Sequence, residues 1–593
     1  MEAPPKRWKK RPSLKPEQLA EIQAALPGRA LTPLLLQLLV NRDVIRLADL
    51  HEDPAAVEDM RAAVDAFINP AGTALPSPFT ISGMEAAVTR TARAVKGGEK
   101  IAVYGDYDAD GVTSTTLLTQ ALRAWGAEVV IHVPHRKRDG YGVNKAALDG
   151  LADQGVKLVI TVDCGIGNAD EVKHAQARGL EMIVTDHHVL PLKLPNTILI
   201  NPKQGGERDP FYWLAGVGVA HQLVRALVER IGKPPALRNN ELLELVAIGT
   251  VADVVPLLGA NRSLVALGIE CLRKTRRPGL LALMQAAGVQ PASVTAYHIG
   301  FIIGPRINAA GRLDDAKVAY DLLLTADASQ AGELAAGLQG ENVRRQELTR
   351  EIVAAAQRQV AELDQDEPLI ILRDASWDVG VVGLAAGRLC EEYGRPTFVM
   401  VDEGETSRGS ARSTRHFDLH KMLTFCDDLL GHYGGHAAAA GLSLPNANFA
   451  DFCERMRELV ESELSDPAQL SGELNADYEL PLAEATLEIV AALSMLEPCG
   501  HGNLRPMFVA RNLRVLDSKA NGKEGRTLVL TLAPPDSDGP RVRAFAHGIA
   551  TEWMPKLASK PKVDLMFHLK LNEWNGRQDV ELEIRGLRTA KDG

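Results

Sequence analysis

Between residues 100 and 203 short, almost wholly apolar runs alternate with amphipathic stretches. The runs are "KIAVYGD", "AEVVIHVPH", "VKLVITVD", "LEMIVTDHH" and "NTILINPK"; segments such as "TSTTLLTQALRAWG" and "NADEVKHAQARG" separate them. Apolar runs without polar alternation suit strands covered on both faces, and helical segments between them supply the crossovers parallel strands need. The pattern predicts an α/β domain over residues 76–325 built on a parallel, doubly wound sheet. Ahead of it, residues 1–75 predict a helical extension with a Pro-rich basic start. Residues 326–365 are helix formers with charges throughout and predict a long connecting helix. "PLIILRDA", "VGVVGLAAGRLCEEYG" and "PTFVMVDEG" then predict a second, smaller α/β domain over 366–470. From residue 471 to 593 the texture becomes short alternating runs ("RTLVLTLA", "VRAFAHG", "VELEIRGL") between Gly, Pro and Asp, which predicts an all-β module of small-barrel size.

Length changes this picture little: 593 residues exceed a single core and call for three or four domains. The nearest approach to a membrane span, "LLELVAIGTVADVVPLL", carries Glu244 and Asp253, and the basic N-terminus lacks the apolar core of a signal peptide. Six scattered cysteines without a CxxC pair read as reduced thiols, so a cytoplasmic protein without membrane partners is expected. The net charge of −10 argues against nucleic acid until its distribution is considered. Residues 501–593 hold 16 Lys and Arg against 11 Asp and Glu, so the acidity belongs to the rest of the chain. An acidic body followed by a basic β-module is compatible with nucleic acid held at that module.

The chemistry gathers at strand ends, where open α/β sheets bind ligands. Asp106, Asp108 and Asp110 follow "IAVY"; Asp163 follows "LVITV"; Asp186, His187 and His188 follow "MIVT"; Asp253 follows a helical run. Any one of these is an ordinary turn or helix-capping residue. Carboxylates and imidazoles at three strand ends together suit Mn2+ or Mg2+, the histidine favouring Mn2+, whereas zinc would want fewer carboxylates. So many acids call for two ions, about 4 Å apart, flanking a phosphoryl group.

"GDYDADG", "VDCGI", "TDHH" and "ADVVPL" resemble the four motifs of the DHH phosphoesterases, and "GGHAAAAG" (434–441) resembles the motif of their associated domain. The order, the spacing and the terminal barrel, itself similar to an OB-fold, resemble the RecJ branch of that family, bacterial 5′→3′ exonucleases specific for single-stranded DNA. The resemblance implies that Asp108, Asp110, Asp163, His187 and Asp253 are metal ligands. Asp106 stands where related phosphatases often have a histidine. It implies that His188 touches the scissile phosphate and that Asp186 orients the imidazole pair.

For the substrate, Arg forks a phosphate and Gly lets backbone N–H groups approach one. The candidates are Arg136 in "PHRKRDGYG", Arg306 and Arg312 in "GPRINAAGR", Ser410 and Arg412 in "GSARS", and Gly435 and His436 in "YGGHAAAAG". "GPRINAAGR" reads as a Gly- and Asn-rich break with little helical or strand character. By resemblance Arg136, Arg306, Ser410 and Arg412 line the DNA path and end pocket, with Gly435 and His436 across the cleft. A glycine-flanked turn ahead of an alanine helix explains His436 as well. Trp574 with Arg577 suits base stacking on the barrel or plain edge packing. The chain is thus expected to be a metal-dependent exonuclease hydrolysing single-stranded DNA from the 5′ end to 5′-mononucleotides in DNA repair and recombination, working with a helicase and a single-strand-binding protein. Two rivals are a phosphodiesterase on short oligonucleotides or cyclic dinucleotides, whose known examples usually lack a terminal barrel, and a non-catalytic replication scaffold, which would lose acidic ligands.

Overall fold

A computed structural model of the chain describes all residues except 1–5, 52, 137, 141, 239, 314, 465–471, 523–524, 536–538, 575 and 591–593, and the side chains of Leu313 and Trp574. It divides into two compact units: residues 1–7, 76–255 and 268–472, and residues 8–75, 256–267 and 473–593.

The first unit holds two sheets. Strands β1 (Ile101–Tyr104), β2 (Val129–His132), β3 (Leu158–Val162), β4 (Glu181–Thr185) and β5 (Ile198–Ile200) form a wholly parallel sheet in the order β2-β1-β3-β4-β5. Every residue of β1 and β3 is buried, which is why their sequences are continuous apolar runs. The chain leaves β1 for β2 on one side and returns to β3 on the other, which opens a crevice at their carboxyl ends. Helix α1 (Ala109–Ala124) starts in that crevice, and the hydroxyls of Thr113, Thr115 and Thr116 in its buried "TSTT" run each bond back to the carbonyl four residues earlier at 2.7 Å. Helices α2 (Gly216–Ile231) and α3 (Leu243–Ala252) pack on α1.

Helix α4 (Gly304–Leu313) follows a π-helical turn over Ile299–Ile303. "GPRINAAGR" is therefore helical, against the expectation of a break. Its small residues serve packing: a Cβ on Gly311 would lie 2.2 Å from the Tyr107 carbonyl oxygen. Tertiary contact here outweighs weak helix propensity. Helix α5 (Ala328–Ala361), capped by the Asp327 carboxylate, leads to the second sheet. That sheet comprises β6 (Ile370–Asp374), β7 (Thr397–Asp402), β8 (Thr406–Arg412), β9 (His432–His436) and β10 (Ala439–Pro445) in the order β9-β10-β8-β7-β6, with helix α6 (Val382–Tyr393) against it. The alanine run after His436 enters strand β10, so "GGHAAAAG" is a hairpin and the helix alternative falls.

In the second unit β11 (Phe508–Asn521), β12 (Thr527–Ala533), β13 (Val542–Ala546), β14 (Val563–Trp574) and β15 (Arg577–Thr589) run in the order β11-β12-β13-β15-β14, and β14 pairs back onto β11 to close a five-stranded barrel. Buried and less buried residues alternate along β12 and β13, the pattern of a sheet with one face on a core. The helical N-terminal residues share this core: Ile22, Leu36 and Leu39 are in one cluster with Phe508, Leu530 and Phe567. Arg262, almost wholly buried, ties the segments together by donating to the carbonyls of Phe67, Glu497 and Pro498 while its guanidinium lies 3.9 Å from the Phe67 ring centroid.

Candidate metal centre and phosphate-binding wall

The carboxyl ends of β1, β3 and β4 bring the acidic motifs together. After β1, Asp108 caps α1, its Oδ1 accepting the N–H groups of Asp110 (2.9 Å) and Gly111 (3.0 Å). The Asn308 side chain of α4 accepts the Ala109 N–H at 2.7 Å and steadies this loop. Asp110 faces the first turn of α2, where its two oxygens accept the N–H groups of Gly216 (2.6 Å) and Val217 (2.8 Å). The positive end of a helix is the site a buried carboxylate favours.

Asp163, after β3, sits in the left-handed region at φ +63°, a conformation Asp tolerates better than most residues. A Cβ on Gly216 would stand 2.6 Å from the Asp163 Cβ, so that glycine lets α2 reach the motif. After β4, Asp186 is fully buried and organises the imidazole pair. Its Oδ1 accepts the N–H groups of His187 (2.7 Å) and His188 (3.0 Å) and the His188 Nδ1 (2.7 Å), while Oδ2 accepts the Ile166 N–H (2.9 Å). The His187 Nε2 lies 3.0 Å from Asp163 Oδ1, 3.6 Å from Asp253 Oδ2 and 3.8 Å from Asp110 Oδ2.

Three buried atoms here lack a hydrogen-bond partner among the described residues: Asp106 Oδ1, Asp163 Oδ1 and His187 Nε2. Asp163 and His187 approach to 3.0 Å without bonding, as two ligands of one ion do. Three overlapping groups have ligand atoms mutually within 4.8 Å: Asp106, Asp108 and Asp163; Asp110, His187 and Asp253; and Asp163, His187 and His188. This hard-oxygen set with imidazole fits Mn2+ or Mg2+, and groups sharing Asp163 and His187 leave room for two ions.

Without cations the centre is electrostatically strained. Burial and then mutual repulsion hold the carboxyls of Asp106, Asp163 and Asp253 well above the usual range, and Asp110 is pushed up to about 7. Burial drives His187 down to about 3, so it is a neutral ligand. Asp186 goes the other way. Burial opposes its charge, but the His188 hydrogen bond and charge outweigh that and hold it at about 2; burial lowers His188 in turn, but the hydrogen bond and charge of Asp186 outweigh that and raise it.

In the same unit lies a group of arginines, of which Arg136 acts electrostatically on Asp106 and Arg312 is acted on by Asp108. Arg136 stacks over Tyr107 at 5.2 Å. Arg306, on α4, is fastened through Nε to Gln339 (2.8 Å) and through Nη1 to the Ile302 carbonyl (2.7 Å). Arg412 and Ser410, on β8, lie at the start of α6, where a Cβ on Gly383 would be 3.2 Å from both Arg412 Nη2 and Ser410 Oγ. Arg312 is held down to about 10 by burial and then by Arg136, Arg345 and Arg412. Gly435 adopts φ +145°, where a Cβ would strike the Ala439 carbonyl, and the next residue, His436, is lowered by burial and by His188. The Trp574 side chain lies outside the described residues. Sequence reasoning missed Gly216, Asn308, Arg345 and Lys203. The "AGVG" that opens α2 was the one available signal, since glycines opening a helix mark a close approach.

This acidic rim, with arginines acting on its carboxylates, defines a metal-dependent phosphoesterase. Family models agree: the N-terminal domain of the DHH family matches residues 100–250 and the DHHA1 domain residues 366–463. The RecJ OB domain matches residues 476–586. The single-stranded-DNA-specific exonuclease RecJ of Salmonella typhimurium is 35% identical, covering 96% of this chain and 97% of its own. The crystal structure of RecJ from Thermus thermophilus in complex with Mn2+ superposes with a TM-score of 0.81 at 31% identity, covering 99% of this chain and 80% of that one. The Mg2+ complex from the same organism gives 0.76 at 30% identity over 99% and 79%. The chain belongs to the RecJ family.

Proposed function

We propose that this chain is a Mn2+- or Mg2+-dependent exonuclease that hydrolyses single-stranded DNA from the 5′ end to 5′-mononucleotides, in DNA repair and recombination. The observation that carries this is the convergence of Asp106, Asp163 and His187, each with a buried ligand atom unpartnered among the described residues, at the carboxyl ends of one parallel sheet. Asp106, Asp108, Asp110, Asp163, His187 and Asp253 would hold the ions, which supply charge neutralisation and an activated water when bound. Asp186 accepts a hydrogen bond from His188 Nδ1–H and favours the protonated ring, whose Nε2–H would donate to a non-bridging phosphate oxygen. Water adds to phosphorus, the P–O3′ bond breaks, and the remaining strand keeps a new 5′ phosphate.

Arg136, Arg306, Ser410 and Arg412, with Gly435 and His436 opposite, would receive that phosphate, so each cut restores the end the wall recognises. The closed barrel would hold the strand downstream without reading sequence. Filled acidic motifs argue against a scaffold. No helix among the described residues is long and apolar enough to cross a membrane. A cytoplasmic setting with a helicase and a single-strand-binding protein suits an enzyme that needs unwound ends.

Digestion of 5′- and 3′-labelled single-stranded oligonucleotides with Mn2+, Mg2+ or EDTA tests the reading. The 5′ label should be released first and only with metal; release from the 3′ end, or equal activity in EDTA, would overturn it.

A further inference from the structure

The fifth strand of the parallel sheet ends at the same rim, but on a cation. In the β4–β5 pairing Thr185 stands opposite Ile200, and the Asp186 N–H donates to the Ile200 carbonyl at 3.0 Å. Asn201, Pro202 and Lys203 therefore run beside Asp186, His187 and His188. Asn201 is fully buried and joins the two turns: its Nδ2 donates to the His188 carbonyl at 2.9 Å, and its Oδ1 accepts the Lys203 N–H at 3.0 Å. The Lys203 ammonium lies 4.8 Å from the ring centroid of Tyr212 and 5.8 Å from that of Trp213. Aromatic faces guide a cation without quenching it. Burial lowers the Lys203 pKa while Asp253 and Asp186 raise it, and its charge is felt in turn by His187 and His436.

Charge balance says what such a cation is for. Five aspartates against two divalent ions leave one negative charge, and a phosphodiester brings another. The occupied centre still repels its substrate unless neighbouring residues supply positive charge.

We propose that Lys203 is a further catalytic residue, its ammonium contacting a non-bridging oxygen of the phosphodiester being cut. The assignment rests on the exonuclease reading above. It adds a fourth strand end to the working rim and accounts for the buried asparagine that ties that turn to the imidazole pair.

Lys203→Met and Lys203→Arg test this in the full-length protein. The readouts are steady-state cleavage of a 5′-phosphorylated single strand, calorimetric Mn2+ binding to the metal-free protein, and single-strand affinity in EDTA. Lys203→Met should lower kcat by about a hundredfold, as for loss of a fixed charge at a transition-state oxygen. Mn2+ should bind it as tightly as wild type or more tightly, because a like charge has gone, and affinity for the strand in EDTA should change by less than about threefold, a single phosphate contact among many. Lys203→Arg keeps charge and stacking and should retain part of the rate. A Lys203→Met rate near wild type overturns the assignment. So does a rate loss matched by loss of Mn2+ affinity, which would make Lys203 a prop of the centre. Should Lys203→Met fail to melt cooperatively, Lys203→Arg decides: a reduced rate with normal Mn2+ binding supports the role, a wild-type rate refutes it. An inactive wild-type protein would instead sink the exonuclease reading itself.

Discussion

The acidic rim and the arginine wall are mirror images in charge and alike in energetics. On the rim, burial and repulsion push Asp106, Asp110, Asp163 and Asp253 toward their protonated forms. On the wall, the same burial pulls Arg306, Arg312, Arg345 and Arg412 down, and Arg136, Arg345 and Arg412 all oppose the charge of Arg312. Among the described residues no ion pair joins the two sets, although Arg136 lowers Asp106 and Asp108 raises Arg312. Each is incomplete in a specific way: the rim wants cations and the wall wants an anion, and a metal–phosphate complex satisfies both. Salt bridges elsewhere, such as Arg90 with Glu99 and Glu181, close on themselves and carry no such information.

The largest expected effect breaks the rim. Asp163→Ala should abolish hydrolysis, a loss of at least about a hundredfold. Because it removes a buried like charge, the metal-free protein should melt at the same or a higher temperature while the stabilisation by Mn2+ shrinks. Retained activity in Mn2+ would take Asp163 out of the centre.

The wall is tested by Arg412→Lys, which keeps the charge and loses the fork. If Arg412 holds the 5′ phosphate, cleavage of a 5′-phosphorylated strand should slow by about tenfold, the scale of a lost charge-assisted hydrogen bond, and the preference over a 5′-hydroxyl end should disappear. Competition between the two oligonucleotides measures it. Equal slowing on both would place Arg412 along the strand path, and wild-type rates on both would remove it from the pocket.

The rim was legible in the sequence and the wall only in part. Carboxylates at strand ends are local signals, because "IAVY", "LVITV" and "MIVT" announce the strands and the next residues must lie at their mouths. What the sequence hid depends on contacts between distant residues. Gly216 matters because Asp163 is 2.6 Å from where its Cβ would be, and Asn308 because it caps a helix two hundred residues earlier. Helix α4 looked like a break because the glycines and asparagine that fit it against α1 are poor helix formers. The barrel strands were readable from alternation, but nothing in residues 8–75 announces that their leucines complete the barrel's core.

A gentler test reads the rim by pH. A carboxyl whose folded pKa is raised adds stability that is complete below its unfolded value and lost as pH rises through the folded one. For Asp110 that window runs from 3.8 to about 7, and Asp106, Asp163 and Asp253 shift in the same direction. Metal-free protein should therefore lose stability at this centre from about pH 4 to 7. Mn2+, which displaces those protons, should raise the melting temperature by an amount that grows across the same window. His187, lowered from 6.5 to about 3, works the other way between those values, because the unfolded imidazole takes a proton that the folded one does not, and it offsets part of the carboxyl trend. A gain from Mn2+ that does not change with pH would mean that the carboxyls are ionised without metal.

The smallest effect belongs to the barrel, whose cations differ from those of the wall by being paired in advance. Lys519 meets Asp517 at 3.0 Å, Arg543 meets Glu581 at 2.8 Å and Arg505 meets Glu583 at 3.1 Å. A paired, solvated cation gains little from a passing phosphate, because it must share or give up its carboxylate. Its contribution is counterion release, which a salt titration isolates. Lys519→Ala should leave kcat at saturating substrate unchanged and flatten the slope of log affinity against log salt by no more than about 0.7, the value for one phosphate contact with a single strand. The same substitution should leave the preference for a 5′ phosphate intact, since that preference is assigned to arginines that form no ion pair among the described residues. A steeper loss, or a change in end preference, would mean that the barrel takes part in recognising the terminus and that paired and unpaired cations are not the dividing line between grip and recognition.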